Sequence, residues 1–162
     1  MVATTPQSRK SKGRTFQQYV VAEILKHYVD LTGYDVWSIS MGASGLDIKL
    51  SQSAREMFPF GIECKRKESI NVHSDFKQAR TNADKEGLIP LLVSKRNRES
   101  PLVTMEFETF MNIVNRLYLD ECLIAGYRGR KIPAIKDVLE GKGRETEEYI
   151  SPVREKILRG EL

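Results

Sequence analysis

Cysteine is scarce: Cys64 and Cys122 are the only two in 162 residues. Neither belongs to a CxxC pair, which excludes a zinc knuckle and a disulfide framework. Cys64 falls on the apolar side of a strand pattern and reads as a small core residue. Long apolar runs are missing too, so no bilayer-spanning helix is expected, and the N-terminus has no apolar stretch of the signal-peptide kind. The expectation is a protein that acts in the cytoplasm, away from membranes. No acidic residue precedes Glu23, whereas Arg9, Lys10, Lys12 and Arg14 do. Histidine is limited to His27, on a helical apolar stripe, and His73, near a helix start with no evident partner; neither is assigned a catalytic role. Internal repeats and an appended zinc finger or other DNA-reading module are also lacking, which argues against sequence-specific recognition.

What is present fits one ordinary globular domain: 40% hydrophobic and 30% charged residues, with a net charge of +4. Residues 1–12 read as a flexible basic arm, suited to a phosphate backbone or simply solvated. A core domain is expected over 13–126 and a helical C-terminal extension over 127–162.

The pattern turns helical from Arg14 to about Leu31, with Phe16, Val20, Ile24, His27 and Leu31 on one stripe. "YDVWSIS" predicts a strand, "MGASG" a turn, "LDIKLS" a second strand and "FPFGIECKRK" a third. A helix capped by Asn71 or Ser74 should run to about Glu86, where Gly87 stops it. "IPLLVSK" is nearly all apolar and so predicts a central strand, followed by "PLVTMEF" and an amphipathic helix over 108–125. The order describes a mixed sheet with helices packed on it, an α/β (α+β) domain.

In "FGIECKRK", Phe60, Ile62 and Cys64 alternate with Gly61, Glu63 and Lys65. Asp47 occupies the polar side of the preceding strand pattern. If the two strands pair, their carboxylates come close enough to repel unless a cation lies between them. Mg²⁺ accepts one or two carboxylates, keeps several waters and takes substrate phosphate as a further ligand. A neighbouring lysine would orient water or offset charge developing on phosphorus. An ordinary solvated sheet face with cross-strand charge pairs is the commoner origin of a bare ExK. "GASG" does not make a nucleophile elbow at Ser44, because a strand follows it rather than a helix.

Asp47, a spacer of fifteen residues, then Glu63-Cys64-Lys65 resembles the PD-(D/E)XK nuclease motif on an αβββαβ, restriction-endonuclease-like core. "KGRTFQQYV", "SMGASGLDIKLS" and "FPFGIECK" together resemble a phage-encoded group within that superfamily, similar to Holliday-junction resolvases. The motif's leading proline is Leu46 here. The resemblance implies Asp47 and Glu63 as metal ligands with the Cys64 backbone carbonyl, Lys65 as the catalytic lysine, and Mg²⁺ as cofactor with Mn²⁺ able to substitute. It implies hydrolysis of branched DNA to leave a 5′-phosphate, a homodimer with two active sites, and a host cytoplasm as the place of action. Two softer site assignments are Glu23, a third or outer ligand on the first helix with a salt bridge to Lys26 or Arg14 as its rival, and Gln78, which shares a polar helical stripe with Asp75 and Asn82 and has an ordinary solvent-facing glutamine as its rival. Phosphate contacts are expected from Lys10, Lys12, Arg14, Arg66, Lys67, Lys95 and Arg96. Nicking, restriction-like or exonuclease activity on other DNA structures, and a catalytically idle DNA-binding protein, are the alternatives.

Overall fold

The computed structural model describes residues 6–128 apart from Met41 and Ala43. The proposed C-terminal extension therefore lies, beyond residue 128, outside the described residues. The chain divides into two compact units, Met1–Thr109 and Phe110–Leu162.

The first helix, α1, spans Pro6–His27 and begins well before Arg14. Lys10 and Lys12, expected on a flexible arm, are helical residues. The local reason is readable afterwards: proline suits the first helical position, and no β-branched residue follows until Thr15. Phe16, Gln17, Val20 and Ile24 form its buried arc. The helix ends at His27 rather than Leu31, and Leu31 reaches the core from the loop that follows.

Strand β1, Val36–Ser38, pairs antiparallel with β2, Ile48–Leu50. A short helix that the sequence pattern did not suggest, α2 over Gln52–Met57, follows, with Ser51 Oγ accepting the Ala54 N–H at 3.2 Å as its cap. Strand β3, Phe60–Arg66, lies parallel to β4, Ile89–Lys95, and α3, Val72–Asp84, is the crossover between them. Asn71 Oδ1 caps α3 by accepting the Ser74 N–H. Strand β5, Leu102–Thr104, adds antiparallel to β4, which makes β4 central in a mixed three-stranded sheet, as its apolar run implies. Helix α4 spans Phe107–Arg128.

The expected pairing of the second and third strands takes an unusual form. β2 belongs to a two-stranded sheet with β1, and β3 to the other sheet. Between them runs one backbone bond, Asp47 N–H to the Ile62 carbonyl at 3.1 Å. The next step of the seam is closed by a side chain: the Asp47 carboxylate accepts the Cys64 N–H.

The two sides of β3 bury different things. Ile62 joins Phe16, Val20, Ile24, Val36, Ile48, Leu50, Leu91 and Val93 in the main core. On the other side Gly61 meets α3 so closely that a Cβ there would stand 2.6 Å from Ala83 Cβ. Fully buried Ala79 and Ala83 complete that close approach, which brings the polar edge of α3 down onto the charged side of β3.

Candidate active site

Four elements converge where β2 and β3 part. Asp47 precedes β2, and its two oxygens are held by different elements. Oδ1 accepts from Gln17 Nε2 of α1 at 2.7 Å, and Oδ2 accepts the Cys64 N–H of β3 at 2.7 Å. Glu63 is 2% exposed. Its Oε1 accepts from Lys65 Nζ at 2.6 Å and from Gln78 Nε2 of α3 at 2.8 Å. Its Oε2 takes a longer bond, 3.3 Å, from Asn82 Nδ2, which also donates to the Gly45 carbonyl at 3.0 Å. One residue pair further along β3's direction, Lys67 Nζ donates to Asp75 Oδ1 at 2.8 Å.

The pattern follows from two periodicities. Residues 63 and 65 share one side of β3, with Lys67 just past its end, and 75, 78 and 82 share one side of a helix. Packing α3 on β3 through Gly61, Ala79 and Ala83 therefore zips the two polar rows together.

Burial pushes the Asp47 carboxyl up from its ordinary value to about 6, and the Glu63 charge adds to the push. The Cys64 N–H, Lys65 and Gln17 act in the opposite sense. A buried carboxylate beside a second one is a place that favours a cation. Burial, with Asp47 and Glu63 adding to it, also pushes the Cys64 thiol upward, so this cysteine is inert as a nucleophile.

The donor set fits a hard divalent cation. Each carboxylate oxygen has more than one acceptor site, so Asp47 and Glu63 Oε2 retain capacity beside the bonds they make. Gln17 Oε1 is a buried acceptor with no partner among the described residues. No group of three or more His, Cys, Asp or Glu side chains that could hold a metal occurs among the described residues. Two carboxylates backed by neutral oxygens are a ligand-poor cradle, the kind Mg²⁺ accepts because it keeps its waters.

Two hydrogen-bonded groups thus sit side by side at β3: Asp47 with Gln17 and the Cys64 N–H, and Glu63 with Lys65, Gln78 and Asn82, and the charges of Glu63 and Lys65 act on Asp47. Glu23 joins neither. Its carboxylate lies 3.9 Å from Lys26 Nζ, and it lines an apolar hollow of about 440 Å³ with Tyr19, His27, Phe58, Leu91 and Val103. Six residues separate it from Gln17, which is about 9 Å along the helix and well around it. The α1 residue that reaches the site is Gln17. Its signal was the spacing of Gln17, Val20 and Ile24, which places an amide on the core stripe. Asn82 and Asp75 are the other residues that the sequence placed on a polar stripe without giving them a role.

Of the expected phosphate contacts, Lys10 and Arg14 are exposed on α1 and Lys12 is half-buried there. Arg66 is half-buried, with Nε lacking a partner among the described residues. Lys95 stands over the Tyr19 ring at 5.6 Å, and Arg96 lies 3.8 Å from Glu99. Lys67 is the one tied directly to α3 beside Glu63 and Lys65.

A family model described as "Phage putative PDDEXK endonuclease" matches residues 8–125, well over half of the chain. No curated protein and no solved structure matches it.

Proposed function

This chain belongs to the phage PDDEXK endonuclease family, and from that premise we propose that it is a Mg²⁺-dependent endodeoxyribonuclease that hydrolyses branched DNA in the manner of a Holliday-junction resolvase. The observation that carries the reading is the joining of Asp47, Glu63 and Lys65 at one strand junction, each held by a named donor or acceptor. Mn²⁺ would substitute for Mg²⁺, since both favour oxygen ligands.

Asp47, Glu63 and the Cys64 backbone carbonyl would hold the cation, which when bound supplies a Lewis acid for the phosphoryl oxygens and lowers the pKa of water. The protein's own groups do the rest. Gln17 and the Cys64 N–H fix both oxygens of Asp47, while Gln78 and Asn82 fix Glu63, so the carboxylates need no reorganisation on binding DNA. Lys65 Nζ, anchored on Glu63 Oε1, orients the attacking water and offsets negative charge on the phosphorane-like transition state. Attack in line on phosphorus breaks the P–O3′ bond, leaving a 5′-phosphate and a 3′-oxygen that takes up a proton.

Recognition would rest on shape and phosphates rather than base edges, with Lys10, Lys12, Arg14, Arg66, Lys67, Lys95 and Arg96 as the cations available. Symmetrical cutting of a four-way junction needs two such sites, hence a C₂ homodimer. No helix among the described residues is long and apolar enough to cross a membrane, which suits an enzyme meeting DNA in the host cytoplasm.

The test is cleavage of a labelled synthetic four-way junction beside linear duplex, single-stranded and flap DNA, with Mg²⁺ and with chelator. Paired symmetrical nicks on the junction alone establish the resolvase reading. Cutting of flaps or plain duplex would replace it with a broader nuclease. Tight binding without cutting under any divalent metal would leave a DNA-binding protein.

A further inference from the structure

We propose that Asp75 is a positioning residue for Lys67, and that the pair forms a second phosphate seat beside the site, taking the backbone phosphate next to the one cleaved. The proposal rests on the nuclease reading above and extends it to a residue with no role in that reading.

Three observations carry it. First, Lys67 continues the row begun by Glu63 and Lys65. Side chains two residues apart on an extended chain stand about 6.6 Å apart, comparable to the spacing of consecutive phosphates along one nucleic-acid strand. Lys67, just past the end of β3, thus stands one such step beyond Lys65, on the side where the neighbouring phosphate would lie.

Second, the pair is asymmetric. The Asp75 side chain is 8% exposed, whereas that of Lys67 is 43% exposed. An ammonium has three donors; one goes to Asp75 Oδ1 at 2.8 Å, from the protein side. The carboxylate acts as a buried footing and leaves the cation facing solvent, which is how a cation is aimed at an external anion.

Third, the arrangement is poor as a stabilising device. Asp75 Oδ2 is buried with no hydrogen-bond partner among the described residues. Burying a carboxylate that is only half satisfied costs more than an apolar side chain in the same place. Groups kept at such a cost concentrate at functional sites. The same helix side supplies Gln78 and Asn82 to Glu63. One rigid element, α3, would then set both the metal-binding carboxylate and the phosphate next door, fixing the register of the DNA strand over Lys65.

The test uses the full chain as wild type, Lys67→Ala, Asp75→Asn and the double variant. Steady-state cleavage of junction DNA with Mg²⁺ is paired with binding of the same DNA in Ca²⁺ across a salt series. Lys67→Ala should raise KM, lower kcat at least about tenfold and reduce the salt slope of binding by about one, as loss of one phosphate contact does. Asp75→Asn should leave the slope and KM no worse than wild type, because the cation remains, yet lower kcat about tenfold through misplacement. The double variant should match Lys67→Ala alone, since Asp75 acts only through Lys67. Melting is the structural control: Lys67→Ala strands a buried carboxylate and lowers Tm, and adding Asp75→Asn should recover it.

An Asp75→Asn enzyme with wild-type kcat, an unchanged salt slope in Lys67→Ala, or losses that multiply in the double variant would each overturn the proposal while a cutting wild type keeps the nuclease reading. A wild type that binds but does not cut sinks the nuclease reading, and the salt slopes still decide whether Lys67 meets a phosphate. A wild type that neither binds nor cuts sinks both.

Discussion

The two sides of β3 are built from the same seven residues and obey opposite rules. Ile62 and its core neighbours are held by area and shape alone, with no polar atom to satisfy. On the side toward α3, Gly61 packs on Ala83, while Glu63, Lys65 and, just past the strand, Lys67 are held by directed hydrogen bonds. The apolar side tolerates exchange of one hydrocarbon for another of similar volume. The polar side tolerates almost none, because each carboxylate is held by named donors whose loss leaves a buried group unpaired. One strand thus divides stability from chemistry across its own thickness.

The contrast is sharpest in Lys65. Replacing it with alanine should cut turnover by about 10²–10³-fold, the scale of removing a preorganised donor from a reacting site, while the melting temperature falls less than in Ile62→Ala, because Gln78 and Asn82 still donate to Glu63. A cleavage assay beside a thermal melt reads both. Ile62→Ala should do the reverse. It opens a void under a fully buried side chain and should cost about 2–5 kcal/mol of stability, measured by denaturant titration. Cleavage at a temperature where the variant stays folded should remain near wild type. Equal loss of rate in both variants would erase the division.

Asp47 offers a test in which the two sides trade against each other. Its folded value of about 6 stands above the ordinary 3.8, so the folded protein holds a proton that the unfolded chain has released. Without metal, the stability from this group is fully present below about pH 4 and is lost as pH rises toward 6. Asp47→Asn removes that loss, and a turned Gln17 amide can bring its unpartnered Oε1 to the new donor. The variant should be more stable than the metal-free wild type by about 2 kcal/mol at pH 8, and inactive. The stability difference between the two should vanish near pH 4. By the same linkage, Mg²⁺ affinity of the wild type should fall as pH drops below about 6, since cation and proton compete for one carboxylate.

Gly61→Ala is the smallest step and probes the join itself. The added methyl would meet Ala83 at 2.6 Å, and α3 must move to admit it. About 1–3 kcal/mol of stability should be lost. Because α3 carries Gln78 and Asn82, cleavage should drop as well, which separates this site from Ile62. Wild-type cleavage in Gly61→Ala would show that the donors on α3 do not position Glu63.

Much of this was legible in advance for a simple reason. Strands with one apolar side announce themselves by alternation, and Asp47, Glu63 and Lys65 stand out by their order and spacing together with the strings around them, since a solvated face accounts for an ExK alone. Gln17 was harder: a neutral amide beside Phe16 carries no charge to draw attention, and only its spacing to Val20 and Ile24 marks it as inward. Glu23 drew attention as a carboxylate near the same stripe, yet it lies at the arc's outer edge, where Lys26 and water serve it. Asp75 and Asn82 showed as a polar row, but their depth depends on how near α3 approaches, and that is set by Gly61 and two alanines. Residues 6–12 have the charge of an arm, and what makes them helical, Pro6 at the first position and no β-branched residue before Thr15, carries no hydrophobic stripe to mark it.

The bond from the Cys64 amide to Asp47 makes a backbone proton answerable to the chemistry of the site. In an ordinary ladder that proton would exchange with solvent only when the sheet opens. Here its acceptor is a carboxylate expected to hold the cation, so a change in that carboxylate's charge should register at one nucleus. A ¹⁵N label at Cys64 would serve as an internal gauge of occupancy, readable without DNA and without turnover.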